Sequence, residues 1–215
     1  MAISITPIGE NFAAEITDLD IGVPFDNVTR DAVISALDIY ATVVIRGNPV
    51  SQKKQIEFAL RFGSLDEVNG VLTTDIKRRV RPELTDVSNI DAEKKLFGRE
   101  DRRRLFNLGN RLWHTDSSFK RVAAMYSMLH AHTVVPYGGE TQICDLRAAY
   151  DALDENVKSR IMDLVAVHSI YTSRAILGFD SFSEKERRAL PPICRSLVRE
   201  HPGSKRQTLF LASHA

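Results

Sequence analysis

No regular strand–helix–strand rhythm runs through this chain, and that absence constrains its fold more than any single motif. Apolar residues at Val33, Ile34 and Leu37 share one helical face over 29–40. They lead directly into Ala41-Thr42-Val43-Val44-Ile45, a short β-branched run of the kind found in buried strands, stopped by Gly47. Ser51 can cap a helix over Ile56, Ala59, Leu60 and Phe62, with Gly63 as its stop. A strand is expected over 84–90. Asp145 and Asp154 read as caps of two successive helices, the second carrying Val157, Ile161 and Leu164, and Ser183 with Glu186 forms a capping box. Two late strands, 197–200 and 208–211, flank Pro202-Gly203-Ser204-Lys205, a hairpin turn. Strands scattered between helices in this way favour a mostly β, α+β protein with an antiparallel core and helices outside it, rather than a doubly wound sheet. At 215 residues with 43% hydrophobic content, one domain with a sizeable core is expected.

Charge and composition narrow the function classes. The 29 basic and 28 acidic residues nearly cancel, which gives no case for a nucleic-acid partner. No run of about 18 apolar residues is present, and Met-Ala-Ile-Ser-Ile-Thr-Pro lacks the pattern of a secretion signal, so neither a membrane span nor export is expected. Cys144 and Cys194 have no metal-type spacing and read as free thiols of a cytoplasmic protein. The sequence leaves a monomer or a homo-oligomer open. Two basic stretches, 77–81 and 99–104, read first as solvated loops and second as a lid attracting an anionic small molecule.

The run Leu112-Trp113-His114-Thr115-Asp116-Ser117-Ser118-Phe119 carries the chemistry. Residues two apart on a strand point to one side, so His114 and Asp116 can offer a nitrogen and an oxygen to one point. Non-heme iron(II) oxygenases use two His and one carboxylate on one face, with the other positions open. His-x-Asp alone is a weak signal, matched as readily by a solvated strand end. Here it follows a Trp with a buried look, where a bare carboxylate would be costly. A Gly-Gly turn follows at Gly138-Gly139, then Thr141 and Asp145.

In these motifs the chain resembles the iron(II)- and 2-oxoglutarate-dependent dioxygenases of the taurine/2,4-dichlorophenoxyacetate family, nearest to the 2,4-dichlorophenoxyacetate branch. The likeness covers nearly the whole chain. It is strongest in Val43-Val44-Ile45-Arg46-Gly47, Asp86-Val87-Ser88-Asn89, the run from Leu112 to Phe119, Tyr126-Ser127-Met128-Leu129, Gly138-Gly139-Glu140-Thr141, the run from Cys144 to Leu153, and Leu197-Val198-Arg199-Glu200-His201. The resemblance implies a double-stranded β-helix, or jelly roll, with flanking helices. It implies that His114 and Asp116 bind iron(II), that the Thr141 hydroxyl helps hold the 2-oxoglutarate carboxylate, and that Asn89 lines the substrate pocket. Read without the family, Asn89 is a turn residue and Thr141 an ordinary strand threonine. His130, His132 and His168 read as packing or surface histidines, and His201 as a solvated turn residue.

The implied reaction consumes O2 and 2-oxoglutarate, yields succinate and CO2, and hydroxylates a small organic acid, with ascorbate as a reductant. For an aryloxyacetate the products are a phenol and glyoxylate. Where the herbicide-degrading branch has a lysine, this chain has Val71, and Lys95 remains to meet a substrate carboxylate. The family's second iron His and its 2-oxoglutarate Arg have no counterpart up to Ala215. His214 is read as too early for that role, since it closes the hairpin strand. The sequence is therefore expected to be a C-terminally truncated or partial form, lacking the last strands, with catalytic roles belonging to a longer form. A taurine-type sulfonate dioxygenase, a non-catalytic remnant, and a zinc hydrolase using His114 and Asp116 are the alternatives. The last is disfavoured by the absence of dense His/Cys spacing.

Overall fold

A computed structural model describes residues 3–47, 49–66 and 78–215. Val71 and Lys77 lie outside the described residues. In chain order the elements are β1 (Ser4–Pro7), β2 (Ala14–Thr17), α1 (Asn27–Tyr40), β3 (Val43–Ile45), α2 (Gln52–Ala59), α3 (Arg102–Asn107) running into a 3-10 turn (Leu108–Arg111), α4 (Leu146–Asp151), α5 (Glu155–Ile161), β4 (Val165–His168), α6 (Ile170–Ile176), α7 (Glu184–Ala189), β5 (Ile193–Ser196), β6 (Val198–Glu200) and β7 (Gln207–Leu209). They fall into two compact units, each assembled from three stretches of chain. The first comprises 1–65, 128–152 and 200–208; the second comprises 66–127, 153–199 and 209–215.

The first unit is built on a three-stranded sheet. β1 pairs antiparallel with β2, Ser4 opposite Thr17 and Pro7 opposite Ala14. β3 pairs parallel with β2, Ala14 opposite Val43 and Ile16 opposite Ile45. The parallel pairing follows from α1, which carries the chain back between β2 and β3 as a crossover. Asp26 caps α1 by accepting from the Thr29 N–H. The helix stops at Ala41, whose positive φ of 63° lets its N–H return to the Leu37 carbonyl. Ile16, Leu19, Val33, Ala36 and Phe58 form the core, with Phe25 and Phe62 packed against it. Arg147 on α4 is buried, at 4% exposure. It pairs with Asp145, the cap of α4, and donates to the Asp38 and Ile39 carbonyls at the end of α1. Those carbonyls are among the groups that a helix end leaves without intrahelical partners.

The second unit contains the antiparallel pair β4–β5, Val165 opposite Ser196 and His168 opposite Ile193. Around Phe106, Phe179, Phe182 and Tyr171 it holds a cluster of edge-to-face rings. Asp101, Asp154, Ser169 and Ser183 cap its helices. At α7 both bonds of the expected capping box form. β6 and β7 pair as the expected hairpin.

Several expectations are corrected. No strand forms over 84–90; only an isolated bridge joins Ile90 to Leu96. Arg78 donates to the Leu84 carbonyl and this stretch finds no partner strand, although Leu84, Asp86, Ser88 and Ile90 are half-buried. β3 is half-buried rather than buried. The helix after Ser51 ends at Ala59, where Arg61 and Phe62 turn back to Phe58 and Ala59 in tighter bonds, four residues before Gly63. Leu164 lies beyond α5. The run 112–119 is a loop with a turn, not a strand, and Trp113 is 58% exposed rather than buried. His214 sits in a turn after β7, buried, and not on the hairpin strand. Among the described residues the sheets are small, with both parallel and antiparallel pairings.

Candidate active site

His114 and Asp116 face one another although no strand carries them. His114 Nε2 lies 3.1 Å from Asp116 Oδ1. On its other side, His114 Nδ1 lies 2.7 Å from the Leu112 carbonyl oxygen. A carbonyl only accepts, so Nδ1 carries the proton and Nε2 presents its lone pair toward Asp116. Two electron-rich atoms 3.1 Å apart need a cation between them. In the metal-free molecule a proton can serve: Asp116 raises the His114 pKa, and His114 holds the Asp116 carboxyl below the usual carboxylate range. His114 Nε2 and Asp116 Oδ1 are also the two atoms of this pair that could hold a metal ion together. The Nδ1–carbonyl bond is also the arrangement that orients metal-bound imidazoles. Among the described residues, no group of three or more His, Cys, Asp or Glu side chains is placed to hold a metal ion.

Buried polar side chains in the same unit back this pair. The stretch 211–214 lies along the loop: Ser213 N–H donates to the Trp113 carbonyl, and the Thr115 hydroxyl to the Leu211 carbonyl. The His214 ring, 2% exposed, lies 5.9 Å from that of His114 and edge-on to Phe119. The Ser173 hydroxyl donates to the Ile170 carbonyl, so its oxygen accepts from both Arg174 and His214 Nδ1. Burial first, then the Arg174 cation, push the His214 pKa down to about 4. Arg174 is itself buried and stacked on Phe106, its pKa lowered to about 10 by burial. The guanidinium fills the space over Gly109, where a side chain would run into it. His168 is wholly buried and bonded at both nitrogens, which agrees with its reading as a packing histidine. Sequence reasoning missed the His214–Ser173 and His168–Ser118 couples. Each joins residues at least forty apart, and no local pattern marks them.

The other expected site residues divide between the units. Asn89 and Lys95 belong to the second unit with His114 and Asp116, and one tight turn brings them together. Phe97 N–H donates to the Asn89 carbonyl, the Ile90–Leu96 bridge closes the turn, and the Asp91 carboxylate accepts from the Lys95 and Glu93 N–H groups. Both side chains are exposed. Thr141 belongs to the first unit, in an exposed stretch without regular structure. It follows Gly138 and Gly139, both at positive φ, which produces the turn read from that pair. The arginines of the basic stretches are largely engaged: Arg79 with Asp86, Arg81 with Glu83, Arg102 with Glu186 and Arg103 with Asp101. That favours paired surface over an anion-attracting lid. His201 accepts from the Ser204 N–H within the hairpin turn. Cys144 and Cys194 are free and exposed.

The fold places the chain among the dioxygenases. It superposes on the crystal structure of AAD-2 in complex with Mn(II) and N-oxalylglycine with a TM-score of 0.95 at 40% identity, covering all of this chain and 75% of that one. A family model, "Taurine catabolism dioxygenase TauD, TfdA family", matches residues 4–215, and the chain belongs to that family. Among its relatives is the alpha-ketoglutarate-dependent 2,4-dichlorophenoxyacetate dioxygenase of Cupriavidus pinatubonensis, 40% identical over 215 residues, all of this chain and 75% of the relative. A second is the (S)-phenoxypropionate/alpha-ketoglutarate-dioxygenase of Sphingobium herbicidovorans, 31% identical over all of this chain and 72% of the relative.

Proposed function

We propose that this protein is an iron(II)- and 2-oxoglutarate-dependent dioxygenase, of double-stranded β-helix architecture, that hydroxylates an aryloxyalkanoate. The observation that carries the reading is the His114–Asp116 pair, two donors 3.1 Å apart with the imidazole tautomer set so that its lone pair faces the carboxylate. Relatives at 40% and 31% identity named for 2,4-dichlorophenoxyacetate and phenoxypropionate support the substrate class. The Mn(II) and N-oxalylglycine of AAD-2 support a metal with a 2-oxoglutarate-like partner.

In this reading His114 and Asp116 would hold the iron. The bound metal supplies dioxygen activation coupled to conversion of 2-oxoglutarate to succinate and CO2. The Thr141 hydroxyl donates to the 2-oxoglutarate carboxylate and orients it. Lys95 and Asn89 steer and place the substrate; both side chains are exposed, and the Lys95 ammonium can meet an anion there. Hydroxylation of the carbon beside the ether oxygen gives a hemiacetal, which collapses to a phenol and a glyoxylate-type product. Free, exposed thiols fit a reducing cytoplasm.

The test is to produce the protein from its genomic locus and supply iron(II), 2-oxoglutarate and ascorbate. A panel of aryloxyacetates, aryloxypropionates and sulfonates is then assayed for succinate and phenol. Succinate formation coupled to phenol release is the expected result. Succinate coupled only to sulfonates would overturn the substrate class, and no coupling to any substrate would overturn the activity.

A further inference from the structure

The loop after Asp116 is held more firmly than an exposed turn needs. Ser118, two residues on, is wholly buried and bonds to a wholly buried histidine from β4: Ser118 Oγ lies 2.9 Å from His168 Nδ1. The other ring nitrogen of His168, Nε2, lies 3.2 Å from the Phe210 carbonyl oxygen. That carbonyl only accepts, so Nε2 carries the proton, Nδ1 is a bare acceptor, and the Ser118 hydroxyl donates to it. Burial lowers the His168 pKa, which keeps the ring neutral in this arrangement. The ring stacks on Phe210, which leaves it little freedom to turn. Arg195, on β5 beside β4, reaches the same loop from its other end. It donates to the carbonyls of Ser118, Lys120 and Arg121. Lys120 and Ser117 both bond to Asp66.

We infer that His168 and Arg195 are positioning residues for the carboxylate of Asp116, acting through the buried Ser118 and the 118–121 carbonyls. The inference rests on the reading of Asp116 as an iron ligand. Asp116 is partly exposed and follows a loop, so no strand sets its height; Ser117 takes a positive φ of 56° immediately after it. A carboxylate on such a loop loses orientation with each anchor removed. The β4–β5 pair supplies both anchors from adjacent strands, which places a rigid element behind a loop-borne ligand. The His168–Ser118 bond is directional: it needs an acceptor at the Nδ1 position of residue 168, whereas the Phe210 bond needs a donor at the Nε2 position. The two contacts can therefore be separated by choice of amide.

The experiment measures Mn(II) affinity by electron paramagnetic resonance, and amide hydrogen exchange of 116–121, in the parent, Ser118→Ala, His168→Asn, His168→Gln and Asp116→Ala. Asn puts an acceptor near the Nδ1 position and Gln a donor near the Nε2 position. Ser118→Ala and His168→Gln should weaken Mn(II) binding about tenfold and speed exchange of 116–121, while His168→Asn stays within about threefold of the parent. Asp116→Ala should abolish binding. Parent-like exchange and affinity in Ser118→Ala would overturn the inference and leave His168 a packing residue. So would equal losses in His168→Asn and His168→Gln that follow the melting temperature alone. If Asp116→Ala binds Mn(II) like the parent, the ligand reading fails instead; the exchange of 116–121 in Ser118→Ala then still decides whether His168 holds the loop. Should His168→Gln not fold, Ser118→Ala decides alone.

Discussion

Three side chains carry consequences that single substitutions can read. Asp116→Ala removes one of the two donors of the proposed iron pair, and iron-dependent succinate production should be lost; near-normal production would sink the ligand assignment. Thr141→Val keeps the shape and removes the hydroxyl. If that hydroxyl donates to the 2-oxoglutarate carboxylate, a charge-assisted bond of roughly 1.5–3 kcal/mol goes with it, and the apparent 2-oxoglutarate affinity should weaken about tenfold or more. An unchanged 2-oxoglutarate dependence would count against Thr141. His214 makes a pH prediction. Its pKa is near the ordinary 6.5 unfolded and about 4 folded. Between those values the unfolded chain binds more protons, so its contribution is complete above pH 6.5 and is lost as pH falls toward 4. The loss reaches about 3 kcal/mol at most. Denaturant unfolding at pH 7.5 and pH 5 should show a smaller drop in His214→Gln than in the parent; identical drops would refute this account of His214.

At the scale of elements, the structure turns on how ends are tied. Asp26, Ser51, Asp145, Asp154 and Ser183 each cap a helix through their own side chains. All but Asp26 were legible in the sequence, because a cap is a contact between residues two or three apart. The stretches misread as strands, 84–90 and 112–119, failed for the complementary reason. A strand needs a partner, and the partner is never local. Arg147 ties α4 to the end of α1 through the Asp38 and Ile39 carbonyls and its buried pair with Asp145. Arg147→Met should cost about 3 kcal/mol, because it leaves the buried Asp145 carboxylate with only the α4 cap N–H and the more distant Arg206 guanidinium at 3.9 Å. Adding Asp145→Asn should restore part of that loss, so that the double variant is more stable than the sum of the singles. Strict additivity in thermal or urea unfolding would show that the pair is not the cause.

For the molecule as a whole, stability should follow burial rather than strand membership. Ile16 and Val44 sit on adjacent strands of one sheet, yet Ile16 is wholly buried in the core and Val44 is 36% exposed. Ile16→Ala should cost about 2–5 kcal/mol and Val44→Ala well under half as much. Comparable losses in urea unfolding would mean that the core is misplaced. The caps at Ser51, Asp145, Asp154 and Ser183, the hairpin turn, the Gly138-Gly139 turn and the His-x-Asp pair were determined by the sequence alone, since each depends on residues within a few positions of one another. The tertiary structure decided what stands behind that pair. It brought His168 to Ser118 and His214 to Ser173, buried Arg174 over Gly109, and laid 211–214 along the loop. Those contacts join residues 41 to about 100 positions apart, and only the folded backbone's path brings such residues within the range of a hydrogen bond.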